Sequence, residues 1–174
     1  SVELVEFIVT KVAEKSYTEP IKSAAEGAAP FQEIPEPGGL LIGLNYHTKS
    51  EADGSRTFCG FQAVFETKLG PRLGAWHGMA PEPNQQAGEL RAPRGFAISG
   101  ISIYSGAGIQ NFQVAYSHIA ETGLTTRRTL RSKVTGNYRL GQVRHVITPG
   151  GQPIVGISGT IDKSIRSLGL ISTK

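Results

Sequence analysis

The chain has 174 residues, of which 18% are charged, and a formal net charge of +4 at pH 7. No apolar run approaches the ~20 residues that a membrane-spanning helix needs, and a single cysteine, Cys59, excludes an internal disulfide. The 22 glycines and 10 prolines, together with many Ile, Val, Thr and Ser residues, favour one all-β domain with many turns.

Residues 1–26 differ in pattern from the rest of the chain. Their apolar side chains fall at helical spacing on one side, with charged and polar side chains on the other; the apolar ones are Val2, Val5, Ile8, Val9 and Val12. The run is also β-branched, so it predicts a short helix or a strand. Residues 27–37 are rich in proline and glycine and predict a linker to a β domain over residues 38–174.

The most regular pattern lies in residues 97–117, AISGISIYSGAGIQNFQVAYS. Small and apolar residues alternate on both sides of the SGAG stretch, which predicts a β-hairpin with a tight glycine-rich bend. Residues 153–173 match this stretch without a gap at an offset of 56 residues, and residues 38–65 form a weaker third copy with a longer bend. A repeated unit of this kind buries its apolar face by packing against the other copies of the repeat.

The segments between the hairpins are less regular. Residues 66–94 begin as a strand and then contain many glycines and prolines, so Trp76 and His77 are predicted on a loop. There, Trp76 could stack on a sugar face or fold onto its own domain. Short strands are predicted near residues 89–92, 125–131 and 137–148.

A cluster of cations follows the second hairpin. No Asp or Glu occurs between Glu121 and Asp162, whereas seven basic residues occur there: Arg127, Arg128, Arg131, Lys133, Arg139, Arg144 and His145. Such a face attracts sulfated or uronic glycans, phospholipid or nucleic acid, or it is simply a solvated surface. Tyr138 is the one aromatic residue among them, so a nucleic-acid platform is weakly supported.

Sequence patterns of catalysis and metal binding are missing. The four histidines are scattered without metal-ligand spacing, and Cys59 stands in an apolar strand, where a small core residue is expected rather than a nucleophile. No Gly-x-Ser-x-Gly elbow, Walker loop or pair of carboxylates for glycoside hydrolysis is visible. The sequence therefore predicts no enzyme, no metal and no cofactor.

The three repeats resemble the jacalin-related lectins. The last hairpin of that family reads I-x-G-[IF]-x-G, a short loop, then [LI]-D-x-[LI]-G-[LFV]. The matching residues here are Ile154, Gly156, Ile157, Gly159, Ile165, Ser167, Leu168, Gly169 and Leu170. The resemblance covers residues 38–173 and implies a β-prism of three Greek-key-like hairpins; a two-sheet β-sandwich is the alternative fold.

The resemblance also implies a sugar site, made of a Gly-x-x-x-Asp loop in the last hairpin and a Gly-Gly near the first strand. The loop corresponds to residues 162–166, where Asp162 replaces the glycine and Arg166 replaces the aspartate. A guanidinium pairs with planar anions, so Arg166 would suit a carboxylate or sulfate. In the second hairpin, Gln110 takes the place of the acid and could bind a hydroxyl. The candidate carbohydrate-binding residues are Gly38, Gly39, Gly106, Gln110, Asp162 and Arg166.

The expected function is non-catalytic carbohydrate binding through loops at one end of the prism. The expected partners are a glycan or polysaccharide, with acidic glycans as a candidate class, and a second copy of the chain in a homo-oligomer; neither nucleic acid nor a membrane span is expected. The location leans towards extracellular or cell surface. The alternative is a structural subunit of a homo-oligomeric or surface assembly in which residues 1–26 pack onto a neighbour.

Overall fold

The computed structural model describes residues 28–36, 38–105, 108–120, 123–136 and 143–173. The predicted N-terminal helix or strand (residues 1–26) and Gly106 lie outside these ranges. Within them the chain forms twelve β-strands: β1 Ala29–Glu33, β2 Leu40–Ser50, β3 Arg56–Thr67, β4 Gly70–Gly78, β5 Gly88–Arg91, β6 Phe96–Ser105, β7 Ile109–Ile119, β8 Leu124–Arg131, β9 Thr135–Gly136, β10 Val143–Ile147, β11 Ile154–Ile161 and β12 Ile165–Ser172. Across the described ranges, no helix has the length and apolar character to cross a membrane.

Each predicted hairpin is the centre of its own antiparallel sheet. The strand orders are β4-β3-β2-β5, β10-β6-β7-β8 with β9 beside β7, and β1-β11-β12. In each sheet a strand from elsewhere in the chain (β5, β10 or β1) pairs with the first strand of the hairpin, which is the return connection of a Greek key. The all-β fold of three repeated units is confirmed, and three sheets replace the two of a sandwich.

The repeat has a structural cause at a β-bulge near the start of each hairpin. The ladders shift register between Leu41 and Gly43, between Ile98 and Gly100, and between Ile154 and Gly156. A Cβ atom on any of these glycines would clash with a carbonyl oxygen of the strand that pairs with the hairpin, β5, β10 or β1. It would lie 2.7 Å from Leu90 O at Gly43 and 2.9 Å from Ile147 O at Gly100. Glycine recurs there because two backbones approach closely.

The inward faces of the three sheets form one apolar core. Three buried aromatic rings, Phe58, Phe61 and Phe112, pack together in this core, and the partly buried Tyr46 packs against them. The Phe112 ring, from the second sheet, contacts all three others, which come from the first sheet. A smaller cluster of Leu40, Ala97, Leu124, Val155 and Ile171 packs separately.

Two strands lie where the sequence predicts irregular chain. Residues Ala29–Glu33 of the predicted linker form β1, which pairs with β11 over five residues, so the linker prediction is corrected there. Residues Gly70–Gly78 form β4, so Trp76 and His77 are strand residues rather than loop residues. His77 joins the two strands, because its ring stacks on Phe31 at 4.5 Å and its Nε2 lies 3.0 Å from Glu33 Oε1.

Candidate functional site

The three hairpin connections meet at one end of the molecule, here called the bend end, through their described residues 51–55, 108 and 162–164. The Lys49 ammonium donates a hydrogen bond to the Lys163 carbonyl oxygen at 3.0 Å, which joins the first and third hairpins. A Cβ on Gly108 would lie 3.4 Å from Ile165 O and Ser164 Oγ, so the second hairpin touches the third. A cleft of about 320 Å³ opens between them, lined by Lys49, Glu51, Ser55, Arg56, Thr57, Gly108, Gln110, Lys163, Ser164 and Arg166.

A second set of β-bulges follows the bend of each hairpin. In each hairpin one residue of the second strand is skipped in the ladder just after the bend: Cys59, Gln110 and Arg166. A bulge re-aims the side chain of its extra residue and ends regular pairing. Gln110 and Arg166 therefore reach the cleft for the same backbone reason, and they are the two residues that the sequence comparison placed in one slot.

Arg166 is paired with Asp162 across the third bend. The Arg166 Nε donates to Asp162 Oδ2 at 2.7 Å, and the backbone N–H of Ser164 donates to Asp162 Oδ1 at 3.0 Å. The Ser164 hydrogen bond is the main cause that lowers the pKa of Asp162, and the Arg166 hydrogen bond adds to it. The carboxylate thus fixes the turn and holds the guanidinium by one nitrogen, leaving its two Nη groups as donors.

The lowered pKa of Asp162 predicts an acid-sensitive contribution to stability. Because the pKa is lower in the folded than in the unfolded chain, the contribution is present above the ordinary carboxyl value of 3.8 and is lost as the pH falls through the folded value. The Asp162→Asn variant keeps an oxygen for the Ser164 N–H but has no charge. Thermal unfolding is expected to show a higher Tm for wild type near neutral pH and no difference in strong acid; a difference unchanged by acid would contradict this.

Cations outnumber carboxylates around the cleft. Its lining carries Lys49, Arg56, Lys163 and Arg166, against Glu51 in the lining and Asp162 beside it. Glu51 is already engaged, since its Oε1 accepts from the Thr57 hydroxyl at 2.7 Å and lies 4.0 Å from the Lys49 ammonium. Arg56 donates through Nε to Thr48 Oγ1 at 2.9 Å, which leaves its Nη groups as donors. The cleft therefore presents a net positive surface rich in hydrogen-bond donors.

The bulge residue of the first hairpin, Cys59, has a different environment. It is 2% exposed, and its Sγ lies 3.4 Å from both the Nδ1 and the carbonyl oxygen of His47. Burial raises the pKa of the Cys59 thiol, so the neutral form is favoured. Cys59 is a small buried residue, as the sequence predicts, and lacks the lowered pKa of a nucleophilic cysteine.

Comparison with known proteins identifies the architecture. No family model and no curated protein matches the sequence. Among solved structures, artocarpin complexed with methyl-α-mannose matches with a TM-score of 0.60 and 13% identity over 89% of this chain and 97% of that one. Single-chain recombinant jacalin gives 0.59 and 13% over 91% and 93%, and the prostate-specific WGA16 glycoprotein lectin gives 0.57 and 15% over 87% and 96%. The fold is the β-prism of the jacalin-related lectins.

The β-prism does not bring all six sequence-predicted site residues together. Gln110 and Arg166 line the cleft, and Asp162 contacts Arg166 beside it. Gly38 and Gly39 precede β2 at the opposite end of the molecule, where a Cβ on Gly39 would lie 3.0 Å from Glu66 O and 3.1 Å from Phe65 Cβ. The ladder from Leu40 to Ser50 separates them from the bend end, a distance of about 33 Å at ~3.3 Å per strand residue.

Sequence reasoning missed the other three cationic residues of this β-prism's cleft: Lys49, Arg56 and Lys163. The signal was present, because Lys49 and Arg56 flank the bend of the first repeat and Lys163 lies within the bend of the third. Equivalent bends of three repeats related by threefold pseudosymmetry lie at one end of a prism. The sequence alone therefore suffices to group their charged residues.

Proposed function

We propose that this β-prism protein is a non-catalytic carbohydrate-binding protein, that the bend-end cleft is its site, and that its ligands are acidic saccharides. The proposal rests on the convergence of cationic groups from the first and third hairpins with the Gln110 amide of the second hairpin. The cations are Arg56 of the first hairpin and Lys163 and Arg166 of the third. Fold similarity to lectins supports carbohydrate as the ligand class, and the charge of the cleft supports an acidic one.

Arg166 is suited to bind a carboxylate or sulfate group of a sugar. Its Nε is held by Asp162, so the guanidinium plane is oriented before a ligand arrives, which lowers the entropy lost on binding. The Nη1 atom lies 3.8 Å from the position that a Cβ on Gly108 would take. Because Gly108 has no side chain, the Nη face of Arg166 stays open to the cleft, where two parallel N–H donors can bind a planar anion.

The carboxylates of the cleft support binding rather than catalysis. A general acid at neutral pH needs a raised pKa, whereas the pKa of Asp162 is lowered by the Ser164 N–H and by Arg166. Glu51 accepts a hydrogen bond from Thr57. Both carboxylates thus stabilise the bends. A homo-oligomer and an extracellular location remain predictions from the sequence.

The Arg166→Ala variant tests the cleft. On an array of neutral and acidic glycans, wild type is expected to bind acidic glycans, and Arg166→Ala is expected to bind them about tenfold more weakly, because a charged hydrogen bond is worth about 1.5–3 kcal/mol. Arg56→Ala is expected to act in the same direction. Gln110→Ala is expected to weaken glycan binding without changing the preference for acidic over neutral glycans.

Arg72→Ala is the matched control, since it removes one exposed arginine outside the cleft lining. Its binding is expected to equal that of wild type. If neutral glycans bind and Arg166→Ala has no effect, carbohydrate binding stands and the acidic class is wrong. If no glycan binds at low salt, the proposed function is wrong.

A further inference from the structure

The second sheet, β10-β6-β7-β8 with β9, carries almost no negative charge. Between Leu90 and Ile161 the sequence holds one acidic residue, Glu121, and eight arginines and lysines. No Asp or Glu occurs in the strands of this sheet. Its positive charges are therefore not neutralised by carboxylates of their own sheet, unlike the paired cations of the bend end.

The sheet brings two arginines from distant parts of the sequence to one face. Arg131 in β8 pairs with Ala115 in β7, and Arg144 in β10 pairs with Tyr104 in β6. Residues opposite each other in a ladder share a face. Tyr104 and Ala115 lie on the face away from the core, because the alternating pairs Ile101–Val114 and Ile103–Phe112 are buried on the other face. Both arginines are exposed.

The floor between these arginines consists mainly of small or polar residues. Ser99, Ser102, Gln113 and Ala115 are partly exposed there, and Val146, which pairs with Ser102, adds one exposed apolar side chain. The Arg144 guanidinium lies along this floor, with its Nη2 3.5 Å from Ser102 Oγ and its carbon 5.9 Å from the centre of the Tyr104 ring. The two edge strands that carry the arginines are three strand spacings apart, about 14 Å.

We propose that this outer face binds a linear sulfated polysaccharide, independently of the bend-end cleft. Sulfate groups at intervals along such a chain would pair with Arg131 at one edge and Arg144 at the other, while the floor offers hydroxyl and amide groups to sugar hydroxyls. Single-stranded nucleic acid needs open aromatic faces for its bases. Among the described residues of this floor, Tyr104 supplies the one aromatic ring, and it already lies under Arg144, so the sulfated polysaccharide fits better.

The test measures binding of a size-defined heparin oligosaccharide by calorimetry at several salt concentrations. The Arg131→Ala/Arg144→Ala double variant is expected to bind roughly tenfold more weakly and with a shallower salt dependence, because two ion pairs that release counterions are lost. The Lys68→Ala/Arg72→Ala double variant removes the same charge from the first sheet and its turn. It is expected to stay within twofold of wild type.

Further variants separate this face from the cleft and from a folding defect. Arg131→Lys/Arg144→Lys is expected to recover most of the affinity. The loss caused by Arg131→Ala/Arg144→Ala is also expected to be the same size when Arg166→Ala is already present, because the two sites are separate. Equal losses in the two double alanine variants would show a response to net charge alone and overturn the proposal. So would absent heparin binding, or equally tight binding of single-stranded DNA of the same charge.

Discussion

Truncation of Phe112 to alanine is expected to lower the free energy of unfolding by about 3–5 kcal/mol, the range for removing a large buried aromatic side chain. Phe112 is fully buried. Its ring centre lies 5.7 Å from that of Tyr46, 5.0 Å from that of Phe58 and 5.4 Å from that of Phe61, each in an edge-to-face arrangement. Because these three partners belong to the first sheet, the loss would weaken the joint between two repeats.

Urea denaturation followed by tryptophan fluorescence and circular dichroism would measure this loss. Phe112→Leu is the control, since leucine keeps much of the volume but not the ring edges; it is expected to lose less than half as much. A loss below ~1 kcal/mol in Phe112→Ala would show that the neighbouring side chains collapse into the cavity. The aromatic cluster would then not be the main joint between the two sheets.

Gly156→Ala is expected to destabilise the protein by about 3 kcal/mol, the upper part of the usual range for overpacking. A Cβ on Gly156 would overlap the Glu33 carbonyl oxygen and contact Ile34 Cγ1 at 2.9 Å. The first of these atoms is backbone and cannot rotate away, so the alanine must push β1 off β11. Those two strands pair over residues Ala29–Glu33, and their separation would expose Phe31.

Gly108→Ala is the matched control, because its new Cβ would meet its nearest neighbours at 3.4 Å, an ordinary contact distance. Its stability is expected to stay within ~0.5 kcal/mol of wild type, because the added methyl group creates no clash with a neighbouring backbone. Thermal and urea unfolding of the two variants side by side would measure the difference. Equal losses in both would mean that the close approach of β1 does not explain the repeated glycine.

The repeats were predictable because backbone contact enforces them. Gly43, Gly100 and Gly156 each lie where a returning strand leaves no room for a side chain, so the sequence must repeat a glycine there. The strands β1 and β4 were not predictable from local pattern. β1 forms by pairing with β11, which is distant in sequence, and β4 forms by pairing with the preceding strand, β3. In both cases the pairing overrides the prolines and glycines of the strand's own sequence.

Part of the candidate site was predictable because the second and third repeats align without a gap. Gln110 and Arg166 occupy one slot in an ungapped repeat, so their relation was visible in the sequence. Lys49 and Arg56 flank a longer bend, where the offset between the copies changes and alignment gives no register. Gly38 and Gly39 were assigned to the site from a sequence motif alone. A motif does not show at which end of a sheet its residues lie.

At the bulge position occupied by Cys59, Gln110 and Arg166, the backbone geometry does not determine which side chain is present. The repeated bulge places one residue outside the ladder at the same point of each hairpin. The identity of the side chain is left free, so one copy carries a buried thiol, another an amide and the third a cation. Duplication of a single hairpin would thus yield three independently variable positions around one axis, and selection could change ligand preference at each of them while the scaffold stays constant.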